Sequence, residues 1–204
     1  MAYVTPSTVT AGTSPITAAA HNIIVNDIID HESRILTGGL NIVTPTSVSG
    51  SGVSLSGSKV VLTAASAPII NGCFTSTYAN YRILVDITSG TAANYSLQYC
   101  LAGTPVVTGY TGEIWYRSGA SIAGATNPSG SGLYLASVPA VGSVDIFGPQ
   151  STRNPKLSTS RMLQGPNIVD IVTNLSVATQ FDGMGLIVNT GNVTGSITIY
   201  GYHI

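Results

Sequence analysis

The sequence predicts a mainly β protein: an N-terminal helix followed by a C-terminal antiparallel β-sandwich of jelly-roll type, associated with other chains. Three observations predict it. Beyond residue 37 the chain consists of short runs rich in Val, Ile, Thr and Tyr, broken by Gly, Asn, Pro and Ser turns. Only residues 16–36 carry a helical period of useful length. Charged residues make up 7% of the 204, against roughly 25% in an ordinary soluble domain. A surface so poor in charge favours association with other chains.

Taken in order, residues 2–15 are rich in Thr, Ser and Pro and read as an extended arm ordered by a partner. The helix follows. Thr17 is placed to cap it, Ile16 to pack back on its first turn, and Gly38-Gly39 to end it. His21, Ile24, Ile28, His31 and Ile35 follow the alternating four-and-three spacing of a heptad seam. A second stripe, Val25, Ile29 and Leu36, lies about 100° round the helix. This is more apolar surface than a two-stranded coiled coil needs, so the helix is expected to bury against sister chains or a larger partner. Packing on its own domain is the alternative. In a parallel bundle His21 and His31 would stack about the axis, as a polar layer that fixes register or as a pH- or ion-sensitive ring.

Residues 38–70 read as a Gly/Ser-rich β connector, with short strands at 41–43, 52–55 and 59–62. Strands this short need partners. Three-fold interleaving in a shaft would supply them, as would membership of the head itself. Residues 71–204 read as the head. Tyr81, Ile83, Val85 and Ile87 alternate along one strand, and Tyr95, Leu97, Tyr99 and Leu101 along the next. Further strands are expected at 113–117, 132–136, 143–147, 168–173, 185–189 and 196–203.

Composition excludes several function classes. A formal net charge of −1 gives no electrostatic footprint for nucleic acid or an anionic membrane. There is no apolar run of about 18 residues, so no membrane insertion is expected. The start, Met1-Ala2-Tyr3-Val4-Thr5-Pro6, has neither the basic nor the apolar part of a signal peptide. Cys73 and Cys100 are then expected as reduced, buried thiols rather than nucleophiles.

Enzymatic chemistry finds little support. His21, His31 and His203 have no metal-ligand spacing, and no two carboxylates are paired by the sequence as glycoside hydrolysis requires. No catalytic residue, metal site or cofactor is expected. A binding role finds more. Trp115 and Tyr116, between Glu113 and Arg117 and flanked by Gly-rich loops, have the chemistry to stack on a sugar ring and bond its hydroxyls. The alternative is that the alternating pattern places them in the core.

Two sets of motifs resemble tailed-bacteriophage virion appendage proteins of the tail-fibre, minor-tail and head-fibre type. The first is Thr8-Val9-Thr10-Ala11-Gly12 with Pro15-Ile16-Thr17-Ala18-Ala19, Asn22, Asp27 and Arg34, similar to the segment that opens many such chains. The second joins Phe74-Thr75-Ser76-Thr77-Tyr78-Ala79-Asn80-Tyr81-Arg82-Ile83 to Thr179-Gln180-Phe181-Asp182-Gly183 and Gly195-Ser196-Ile197-Thr198-Ile199-Tyr200-Gly201-Tyr202. These are similar to the opening and closing motifs of a β-sandwich module of phage surface proteins. The chain departs from a long fibre in being short and in its Gly/Ser stretch between the two motifs. The resemblance implies a structural virion protein, assembled in the host cytoplasm as a homotrimer. It would attach through residues 1–37 to tail, neck or capsid proteins and present the head to a host-surface glycan or protein. A capsid decoration or head-fibre protein is the alternative.

Overall fold

In the computed structural model, residues 39–92, 94–118, 121–126, 132–136 and 138–202 are described. The seam residues His21, Ile24, Ile28, His31 and Ile35 lie outside them, as does His203. The described chain forms no helix. It is laid down as β1 (Asn41–Val43), β2 (Ser47–Ser49), β3 (Val53–Ser56), β4 (Lys59–Ala65), β5 (Ile69–Asn71), β6 (Asn80–Gly90), β7 (Tyr95–Leu101) and β8 (Thr104–Pro105). There follow β9 (Tyr110–Ser118), β10 (Ser121–Thr126), β11 (Leu133–Ala136), β12 (Ala140–Phe147), β13 (Lys156–Gln164), β14 (Asn167–Leu175), β15 (Gly183–Val188) and β16 (Val193–Tyr202).

These strands make two antiparallel sheets. The large one runs β10-β9-β14-β13-β12-β6-β16-β4-β3, and β1 joins β16 beyond the point where β4 ends. The small one runs β11-β7-β15-β5-β2, with β8 on the edge of β7. Hairpins stay within the large sheet at β3–β4, β9–β10 and β12–β13–β14. Elsewhere the chain passes repeatedly from one sheet to the other, so both sheets depend on residues from its whole described length.

Period-two alternation explains how the sheets meet. Tyr81, Ile83, Val85 and Ile87 of β6 are buried, while Arg82, Leu84 and Asp86 between them face out. Ile197 and Ile199 of β16 and Val60 and Leu62 of β4 continue the inner face. Tyr95, Leu97, Tyr99, Met184 and Leu186 of the small sheet close on them in one hydrophobic cluster. The fold is β-sandwich-like and antiparallel.

The connector expected at 38–70 is not separate from the head. Its strands β1, β3 and β4 belong to the large sheet and β2 and β5 to the small one, within a single unit, Gly39–Ile204. The partners these short strands require are β16 and β15 of the same chain. Gly52 shows how tightly they fold in. Its φ is +71°, and a Cβ there would sit 2.1 Å from the Thr63 carbonyl oxygen.

Candidate functional site

The outer face of the large sheet collects most of the charge of the described chain. Lys59, Arg82, Asp86, Glu113, Arg117, Asp145, Arg161 and Asp170 all stand there, leaving only Arg153, Lys156 and Asp182 elsewhere. Register sets their neighbours. Trp115 lies opposite Asp170, Asp170 opposite Arg161, and Arg161 opposite Ser143. One row over, Glu113 faces Val172, and Asp145 faces Arg82.

The arginines are committed to carboxylates. Arg82 forks onto Asp145, Nε to Oδ1 at 2.8 Å and Nη2 to Oδ2 at 2.9 Å. Asp170 accepts from Arg161 Nε at 2.6 Å and from Arg117 Nη2 at 2.5 Å. A groove of about 460 Å³ lies among these pairs, lined also by Ser143 and Thr159. The arginines are well exposed, so the pairs fix side-chain positions more than they stabilise the fold.

Trp115 and Tyr116 fall on opposite sides of β9. Trp115 faces out and is 36% exposed. Tyr116 points inward with Ile114 and packs against the core. They do not form one stacking surface, because consecutive strand residues alternate between faces. The indole lies over Gly124 of β10, where a Cβ would stand 3.7 Å from Cδ1. Its other companions are Thr111, Glu113, Thr126, Val172 and Asn174, which line a trench of about 370 Å³. A second hollow of about 280 Å³ adjoins Glu113, Trp115 and Thr126 on the Gly124 side. Glu113 and Trp115 share a face by alternation alone. Thr126 and Asn174 reach the trench only through the register of β10 and β14 against β9, which the sequence does not display.

A further feature of this face is apolar. Ile122, Ile168, Leu163 and Val141 follow one another across β10, β14, β13 and β12, with Arg117 of β9 between the first two. All four are exposed, Ile122 at 71%.

Among the described residues no three His, Cys, Asp or Glu side chains come together as a metal site. Cys73 and Cys100 are buried free thiols. Burial, then the nearby Asp182, pushes the Cys100 thiol up to about 12. Burial, then Cys100 itself, pushes Cys73 up further. Both stay protonated at neutral pH and are poor nucleophiles.

The two stretches of the β-module motifs meet in space. The Phe74 N–H donates to the Asp182 carbonyl at 3.1 Å. Gln150 Nε2 donates to the carbonyls of both Phe74 and Phe181, at 3.1 and 2.6 Å. Phe74 packs edge-on against Tyr81, and Tyr99 stands between Phe74 and Phe181. Tyr78 lies flat on Gly201, where a Cβ would come within 2.2 Å of the ring. Compared with known proteins, the chain matches no family model and no curated protein sequence.

Proposed function

We propose that the protein is a structural component of a tailed-bacteriophage virion, a fibre or receptor-binding appendage. Residues 1–37 attach it to the particle, and the β domain is displayed toward the host surface. The observation that carries this reading is the meeting of the module motifs. Phe74–Tyr81, Phe181–Gly183 and Gly201 are far apart in sequence yet build one aromatic cluster, as the halves of a recurrent module must. The outer face supports it too, since it gathers exposed charge, the sole Trp and a row of exposed apolar side chains on one open sheet. On this reading the sandwich is a jelly-roll-like head, and the helix seam of His21, Ile24, Ile28, His31 and Ile35 joins three chains. The role is binding rather than catalysis.

The row of Ile122, Ile168, Leu163 and Val141 favours a second reading, a capsid decoration or head-fibre protein that lays this face against the shell. Adsorption separates the two. Excess purified protein should slow attachment of the phage to its host if the protein is a receptor-binding appendage. Unchanged adsorption, with loss of particle stability when the protein is deleted, would replace the first reading by the second.

A further inference from the structure

We propose that the trench beside Trp115 is a saccharide-binding site that takes neutral pyranose units. Three features of the trench point to this ligand class.

The indole offers a flat apolar surface at the mouth of the trench. Gly124 receives the Cδ1–Nε1 edge of the ring, and about a third of the residue remains exposed to solvent. An exposed aromatic face of this kind complements the C–H face of a sugar ring.

Polar groups with unspent hydrogen-bonding capacity surround it. The side chains of Thr111, Glu113, Thr126 and Asn174 make no ion pair or hydrogen bond to any described residue. The arginine and aspartate side chains of the neighbouring groove are already bonded to one another. A carboxylate and an amide oxygen accept, an amide nitrogen donates, and two hydroxyls do either, which suits the vicinal hydroxyls of a sugar.

Charge and size narrow the class. Among the described residues Glu113 is the only charged one lining the trench, so it repels uronic, sialic and sulfated sugars. Arg117 and Arg161 both bond the Asp170 carboxylate, and neither lines the trench. A volume of about 370 Å³ lies at the lower end of the roughly 300–1,000 Å³ of small-molecule sites. The adjoining hollow, which shares Glu113, Trp115 and Thr126, extends it enough for a second unit.

The biological role of such a site rests on the host-attachment reading. Sugar binding is measured on the purified full chain without particles, so the two ideas can fail separately. Trp115 is the only tryptophan among ten tyrosines, so fluorescence excited at wavelengths that tyrosine does not absorb reports on this site alone. Titration with neutral methyl pyranosides and their β- and α-linked disaccharides should change its emission saturably, with the preferred disaccharide bound more tightly than its monosaccharide. Glucuronic acid and sialic acid should give no change. Glu113→Gln and Asn174→Ala should each weaken binding about tenfold with the thermal midpoint unchanged, and Asp86→Asn, remote on the same face, should leave binding as it was. Trp115→Ala, followed by saturation-transfer NMR on the sugar, should abolish it. No saturable response to any neutral sugar, preference for an anionic one, or undiminished binding in Glu113→Gln and Asn174→Ala would overturn the proposal.

Discussion

The Tyr99 and Ser158 hydroxyls lie 2.6 Å apart inside the sandwich and tie β7 of the small sheet to β13 of the large one. Both residues are buried, and the Tyr99 N–H also receives the Tyr110 hydroxyl as acceptor at 2.9 Å. Removing one partner strands the other away from water. Tyr99→Phe and Ser158→Ala should each cost about 1–3 kcal/mol in urea unfolding. The double variant should cost less than the sum, by about 1 kcal/mol. Strict additivity would mean that the bond does not couple the sheets.

Lys156 begins β13 with its side chain on the inner side, only 2% exposed. Its ammonium donates to the Ser151 and Arg153 carbonyls and stands 5.6 Å from the centre of the Phe181 ring. Lys156→Met keeps the stem but leaves both carbonyls without their charged donor. A loss of about 2 kcal/mol is expected. Denaturation of the variant beside the parent protein measures it, and equal midpoints would show that the ammonium contributes nothing.

Alkaline pH should unfold the β domain. Burial raises the phenols of Tyr81, Tyr99 and Tyr110 and the thiols of Cys73 and Cys100 above their ordinary values. Their contribution is fully present below the unfolded-state values of about 8.5 for Cys and 10 for Tyr. It is lost as pH climbs from there toward the folded values, because the unfolded chain ionises and the buried groups do not. Lys156, lowered by burial, opposes the trend near the top of the range as one group against five. The urea midpoint under reducing conditions should fall between pH 7 and pH 10.5. A flat profile would contradict the burial of these side chains.

Removal of residues 1–37 should leave a folded β domain, since Gly39–Ile204 holds both sheets and their common core. Sedimentation should give a trimer for the full chain and a monomer for the truncated one. A full chain that stays monomeric would sink the helix-seam reading.

How much of this was legible in the sequence differs from strand to strand. β6 and β7 were readable because their inner positions, Tyr81 to Ile87 and Tyr95 to Tyr99, are apolar, although Leu101, which continues the second alternation, is exposed at the strand end. β13 was not, because its inner positions are Lys156, Ser158, Ser160 and Met162 while Leu157 and Leu163 face outward. Ser158 makes sense there only once Tyr99 is placed opposite, and Lys156 only once the Ser151 and Arg153 carbonyls are. β10 was hidden for another reason: as an edge strand exposed along its whole length, it carries no burial pattern. The strands of 38–70 were readable in part but left open between a shaft and the head, because the strands that pair with β1, β4 and β5 lie far along the chain. At the site, alternation already places Glu113 and Trp115 together and turns Tyr116 away. Asn174 and Thr126 join them only through pairing between strands that the sequence does not announce.

Immunogold electron microscopy of purified phage particles, with antibody raised against residues 39–204, tests the central claim most directly. The account predicts gold at a defined position on intact virions, and its loss from particles made when only the chain lacking residues 1–37 is supplied. Particles that carry no label, though the host lysate contains the protein, would contradict it.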